Sequence, residues 1–275
     1  MTWRCLRTTR ALRLRNGDEH QPTESVTTGL NETIGREMAL KGGLFSCGDP
    51  VFWRAIGGLY QDALGAKGSK RKELIALDQW YQEELPIAVA EREKKCLRKE
   101  EVVKLMEWKL CRGKFRPRLQ QLVATNSSEM VEECTRKAFQ LLPDISGAVQ
   151  ELCKLKAVGP ATASAILTAG APETAAFMAD EVLESIPGLS PVQYTLKHYL
   201  LFLDKIQNCA EKLNKADTEK TWTPHSVELC LWTWAVADRL RLPSLQSLSL
   251  EKSLEKAEAV HDGGADGPRK KQRTE

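Results

Sequence analysis

No run of eighteen consecutive apolar residues occurs in the chain, so no segment reads as a membrane-spanning helix. Closely spaced cysteines are also missing. Cys5, Cys47, Cys96, Cys111, Cys134, Cys153, Cys209 and Cys230 stand singly, with no CxxC among them. That spacing argues against a zinc site or an iron–sulfur cluster, and for buried or half-buried thiols in a reducing compartment. Alternating β-branched runs are absent, so no strand is predicted. Net charge is small as well: 40 Lys and Arg against 37 Asp and Glu leave +3 over 275 residues. Without local clustering, that balance does not mark a polyanion binder.

The two ends differ from the middle. Residues 1–46 form a basic segment of low order without sustained periodicity. Its first fifteen positions hold Arg4, Arg7, Arg10, Arg13 and Arg15 and no acid, a composition shared with mitochondrial presequences, although acids begin at Asp18. At the other end, 244–275 finishes in HDGGADGPRKKQRTE, too polar and Gly-rich to pack, and is predicted to be disordered. The basic run 268–273 has the character of a nuclear import signal. The two addresses compete, and the nucleus is the one favoured, with the mitochondrion as the alternative.

Between these ends the pattern is helical, predicting an all-α domain over 47–243. DPVFWRAIGGLYQDAL offers Asp49 as N-cap and Pro50 at the first helical position. LIALDQWYQEEL is expected to stop at Pro86. Residues 100–110 carry Val102, Val103, Met106 and Leu110 on one face. EMVEECTRKAFQLL and ISGAVQELCKL follow. SPVQYTLKHYLLFLDKIQNCAEKL is read as capped by Ser190 and entered by Pro191; TPHSVELCLWTWAVADRL repeats the device with Thr223 and Pro224. Trp53, Trp80 and Trp108 are expected in the core. Trp232 and Trp234, two apart on one helix, cannot both face inward.

Residues 155–167, LKAVGPATASAIL, predict two helices folded back on each other within a hairpin spanning 145–170. Val149, Leu152 and Leu155 give the first helix its apolar stripe. Gly159 can take positive φ and reverse the chain. Pro160 then opens a helix whose Ala161, Ala163 and Ala165 allow close packing. The bare amides at that helix start are a ready anion site.

Leu155-x-x-Val158-Gly159-x-x-Thr162-Ala163 resembles the hairpin of the helix-hairpin-helix DNA glycosylase superfamily, L-x-G-[VI]-G-x-x-T-A. The resemblance implies a glycosylase-like helical fold whose hairpin grips a DNA phosphate, often with a monovalent cation on its carbonyls. It also implies an essential aspartate about twenty residues on; Asp180 lies twenty-one after Gly159. The sequence departs from the pattern in several places. Ala157 replaces the first glycine, and Ala161 stands where bifunctional members carry a Schiff-base lysine. Val182 replaces the usual histidine, and the iron–sulfur cysteines are missing. The implied activity is that of a monofunctional N-glycosylase, without other cofactor. Asp180 would stabilise an oxocarbenium-like sugar or activate water, while the extruded base enters a pocket. As a plain alternative, Asp180 is a competent N-cap. Tyr194 and His198, at i, i+4, are candidates for the pocket.

Charge clusters where the totals hide it. Between 92 and 118, eleven basic residues face four acids, a net of +7, densest in CRGKFRPR at 111–118. Lys114, Arg116 and Arg118 are therefore candidate DNA contacts, with Val158, Gly159, Pro160, Ala161 and Thr162 of the hairpin. Residues 144–184 instead net −4, which opposes tight phosphate binding there. Three readings stay open: a DNA-repair glycosylase, a non-catalytic nucleic-acid-binding module of the same fold, and a protein-interaction domain with a protein partner.

Overall fold

The structure, a computed structural model, describes residues 43–69 and 71–248; most of the basic N-terminal segment and the run 268–273 lie outside the described residues. The described residues contain helices and no strand. No described helix is long and apolar enough to cross a membrane. The described cysteines are unbridged, and each is buried or half-buried.

Asp49 caps α1 (Pro50–Gly58) by accepting from Val51 N at 3.0 Å. The single helix expected here breaks at Leu59, just beyond the Gly57-Gly58 pair, and resumes as α2 (Tyr60–Gly68). Two adjacent glycines are poor helix formers, which places the break. Pro86 does not end the next helix. α3 (Glu73–Gln79) widens into a π-helical turn, Trp80–Glu84, where Leu85 N reaches Trp80 O, and continues as α4 (Leu85–Ala90). The wide turn accommodates the proline ring and its missing donor.

Next come α5 (Lys99–Arg112), α6 (Pro117–Val123), α7 (Ser128–Leu141) and α8 (Ile145–Leu152). Ser127 caps α7 and Asp144 caps α8 through side-chain oxygens. Then follow α9 (Pro160–Gly170), α10 (Asp180–Ser185), α11 (Leu196–Ala216) and α12 (Pro224–Leu240). The Ser190–Pro191 entry expected for α11 is not used. That peptide bond is cis, and Thr195 caps the helix by accepting from His198 N at 3.2 Å. Thr223 and Pro224 open α12 as predicted, with Thr223 and Ser226 bonding reciprocally.

Two helices organise the core. From Ala161 to Gly170 every residue of α9 is buried, with α4, α5, α7, α8 and α11 packed around it. An 11-residue helix of small and apolar residues, its three hydroxyls on Thr162, Ser164 and Thr168 buried with the rest, belongs at a centre. Its small side chains let neighbours approach: a Cβ on Gly170 would lie 2.5 Å from the Phe139 ring. Tyr81 donates to Ala165 O at 2.9 Å and stacks on Trp108, with ring centroids 3.6 Å apart. The second organiser, α12, packs on α1, α2, α10 and α11. Trp53, Trp108 and Trp232 are fully buried, and Trp80 nearly so. Trp234 is half-buried, with its ring edge on Phe52. Leu44 and Leu245 join the same core just outside the 47–243 limits.

Candidate functional site

The turn between α8 and α9 reverses the chain by a different residue from the one expected. Gly159 is extended, with φ −109° and ψ −177°. Ala157 carries the left-handed conformation, at φ 64°. An alanine thus holds a backbone conformation that glycine adopts more readily. Buried Asn126 pins the turn. Its Oδ1 accepts from Lys156 N at 2.8 Å, and its Nδ2 donates to Lys156 O at 3.1 Å and Val123 O at 2.8 Å.

Gly159 O then accepts from both Thr162 N and Ala163 N. The amides of Gly159 and Ala161 have no protein partner among the described residues. A Cβ on Gly159 would meet nothing within 4 Å, so the start of α9 is open to a close-fitting guest. The carbonyls of Leu155, Lys156 and Gly159 already accept N–H groups. Among the described residues, no three His, Cys, Asp or Glu side chains are placed to hold a metal.

Asp180 begins α10 without capping it; Ala179 is the N-cap residue, and no side chain bonds the first amides. Its carboxylate is committed elsewhere. Oδ1 accepts from Tyr194 Oη at 2.8 Å, and Oδ2 pairs with Lys114 Nζ at 2.9 Å. The side chain keeps 15% of its exposure, enough to meet a ligand. Burial and the bond to Asp180 raise the Tyr194 phenol, while the bond to Asp180 raises the Lys114 amine. Arg116 lies over the Tyr194 ring, 5.3 Å from its centroid.

Asp180 and the start of α9 open onto one cleft of about 200 Å³. Its opposite wall is the end of α5 and the strap beyond it: Lys109, Arg112, Gly113, Lys114 and Arg116. Arg71 fixes this wall by donating through Nη1 to the carbonyls of Leu110, Cys111 and Gly113 at 2.7, 2.8 and 3.1 Å. Phe177 and Met178 supply apolar lining, and Met178 N is anchored on Ser164 Oγ at 3.0 Å. Three cations from outside 144–184 offset most of its net −4: Asp180, Glu181 and Glu184 pair with Lys114, Lys67 and Arg239 respectively.

Behind the cleft sits a buried ion pair. Arg112 Nη1 donates to Glu228 Oε1 at 2.9 Å, both side chains being 1% exposed. The guanidinium is surrounded by Trp232, Trp108 and Phe177, with centroids 4.4, 5.4 and 5.4 Å away. Burial pushes the Glu228 carboxyl up to about 7 against the pull of Arg112. Asp78 alongside accepts from Tyr60 Oη and Trp108 Nε1, each at 2.9 Å.

Of the sequence candidates, Asp180, Gly159, Pro160, Ala161, Thr162, Lys114, Arg116 and Tyr194 meet at the cleft. Val158 does not; its side chain is buried in the core. Arg118 is exposed on α6 and is not part of the cleft wall. His198 does not line the cleft either, because Tyr194 precedes α11 and the expected i, i+4 helical spacing does not exist. Lys109, Arg112, Phe177 and Glu181 escaped sequence reasoning. Arg112 could have been found, since it falls seven residues after buried Leu105 and four after buried Trp108 on an apolar helix face. Comparison of the chain with family models, curated proteins and solved structures gives no match.

Proposed function

We propose that this chain binds DNA in the Asp180 cleft as a glycosylase-like helix-hairpin-helix protein of the monofunctional type, acting in the nucleus on an N-glycosidic bond. One observation carries the reading: a carboxylate, unpartnered amides at the start of α9 and a cationic wall from another helix line the same cleft. A phosphate on the amides of Gly159 and Ala161 would fix the backbone. Lys114 and Arg116 add charge for neighbouring phosphates. As the base leaves, positive charge develops on the sugar and the Asp180 carboxylate stabilises it or activates water. Lys114 must trade Asp180 for phosphate in that complex, and Tyr194 keeps the freed carboxylate oriented.

The test is base release from duplexes that each carry one damaged or mismatched base. Asp180→Asn is expected to lower the release rate by about 100-fold or more. Gly159→Glu, at a position with open space, is expected to weaken duplex binding without unfolding the chain. No release across such a panel, with binding intact, would point to the second reading, a non-catalytic nucleic-acid-binding module. One feature favours that alternative: both oxygens of Asp180 are already engaged, by Lys114 and Tyr194. Absence of any nucleic-acid affinity would leave the protein-interaction reading.

A further inference from the structure

Behind the cleft the interior gathers polar atoms without a partner. Among the described residues, all buried side-chain nitrogens and oxygens in that condition except His198 Nε2 belong to Arg112, Glu228, Trp232 and His225. These four side chains adjoin. Arg112 bonds Glu228 and lies over the Trp232 ring, and His225 Nδ1 is 4.0 Å from Glu228 Oε2. Native interiors seldom leave such atoms unpaired, so their gathering beside an open cleft points to a polar guest. Arg112 is the member that lines the cleft. Its Nη1 is engaged by Glu228, whereas Nε and Nη2 have no acceptor among the described residues. Those two atoms form one edge of the planar guanidinium, with parallel N–H bonds that fit two acceptors side by side.

We infer that Arg112 selects the base that enters this cleft, and that the base is one with two adjacent in-plane acceptors: guanine, through O6 and N7, or cytosine, through O2 and N3. The inference rests on the reading of the cleft as a DNA site and adds the class of base, which the hairpin motif does not specify. A phosphate also offers paired oxygens, but it would bring a second anion to a pair whose side chains are each 1% exposed. A neutral heterocycle escapes that desolvation cost. Phosphates have separate places at the open start of α9 and on the exposed side chains of Lys114 and Arg116. Phe177 and Met178 give the cleft an apolar face for the flat side of a ring. Adenine sets its N6 donor beside N7 and N1, and thymine sets N3–H between O2 and O4. Each would meet one N–H of the Arg112 edge with another donor, leaving a buried group unpaired. That is how a polar site rejects a near relative of its ligand.

The experiment measures binding of the full chain, by fluorescence anisotropy at fixed salt, to duplexes that each carry one unpaired base opposite an abasic-site analogue. An unpaired base leaves the stack at least cost. Guanine or cytosine is expected to be held about 10-fold or more tighter than adenine and thymine. The preference disappears when 7-deazaguanine replaces guanine, or 3-deazacytosine replaces cytosine, because one acceptor becomes a C–H. Whichever arm responds identifies the base. Arg112→Lys keeps a cation against Glu228 but loses the two-donor edge, and is expected to bind all four duplexes alike. A thermal melt checks its fold; should it unfold, the deaza bases decide on the unaltered chain. Equal affinity for the four bases, a preference for adenine or thymine, or a preference that survives the deaza bases or Arg112→Lys would each overturn the inference and leave the DNA reading standing. No duplex binding would remove both. Base selectivity without base release supports the inference and removes only the hydrolytic step.

Discussion

At the scale of single residues, Ala157 concentrates the strain of the turn. Its φ of 64° costs a residue with a Cβ roughly 1–2 kcal/mol relative to a helical conformation. Asn126 holds the neighbouring residue at both its amide and its carbonyl, so the turn cannot relax by slipping. Ala157→Gly is therefore expected to stabilise the chain by about 0.5–1 kcal/mol, after the greater freedom of glycine in the unfolded chain offsets part of the relief. Urea unfolding measures it; an unchanged or lower midpoint would mean that alanine sits there without strain. The same residue shows where sequence reasoning stopped. The motif marked the turn correctly, but assigned the reversal to Gly159 because glycine is the usual carrier of positive φ. Which of two nearby residues takes that conformation depends on what pins the loop, and Asn126 is thirty positions away.

Among the elements, α9 sets the tightest packing condition. Gly170 lies against Phe139 of α7, and an added methyl would come within 2.5 Å of two ring carbons. Gly170→Ala is expected to cost about 1–3 kcal/mol, as overpacking does, despite the better helix propensity of alanine. A thermal melt decides between the two effects, since propensity alone predicts a small gain. Prolines were the clearest element signals in the sequence. Pro50, Pro160 and Pro224 each open a helix where expected. Pro86 and Pro191 misled for different physical reasons. A π-helical turn absorbs the first, and the second lies ahead of a helix that Thr195 caps instead. Neither outcome is encoded within a few residues of the proline.

On the scale of the whole molecule, the Arg112–Glu228 pair joins α5, which supplies the cationic wall, to α12, which organises the second half of the core. Removing either partner strands the other charge in an apolar interior. Arg112→Met and Glu228→Leu are each expected to cost about 3–5 kcal/mol, while the double variant recovers most of that loss. Chemical unfolding of the four chains closes the cycle; additive losses would show that the two charges act independently. This link explains how much of the site was legible. Asp180 and Gly159 are close in sequence and fit a motif, so their meeting could be anticipated. Lys109 and Arg112 join them only because α5 ends against α9, a packing result that the local charge pattern does not contain.

A final consequence concerns Arg71, whose guanidinium gathers three carbonyls at the end of α5. It works as a latch on the strap that carries Gly113, Lys114 and Arg116, and these three residues add nothing to the hydrophobic interior. Unlatching the strap would scatter the positive face while leaving the helices stacked, so a variant at Arg71 would forfeit the cationic contacts proposed for the cleft and still pass for intact.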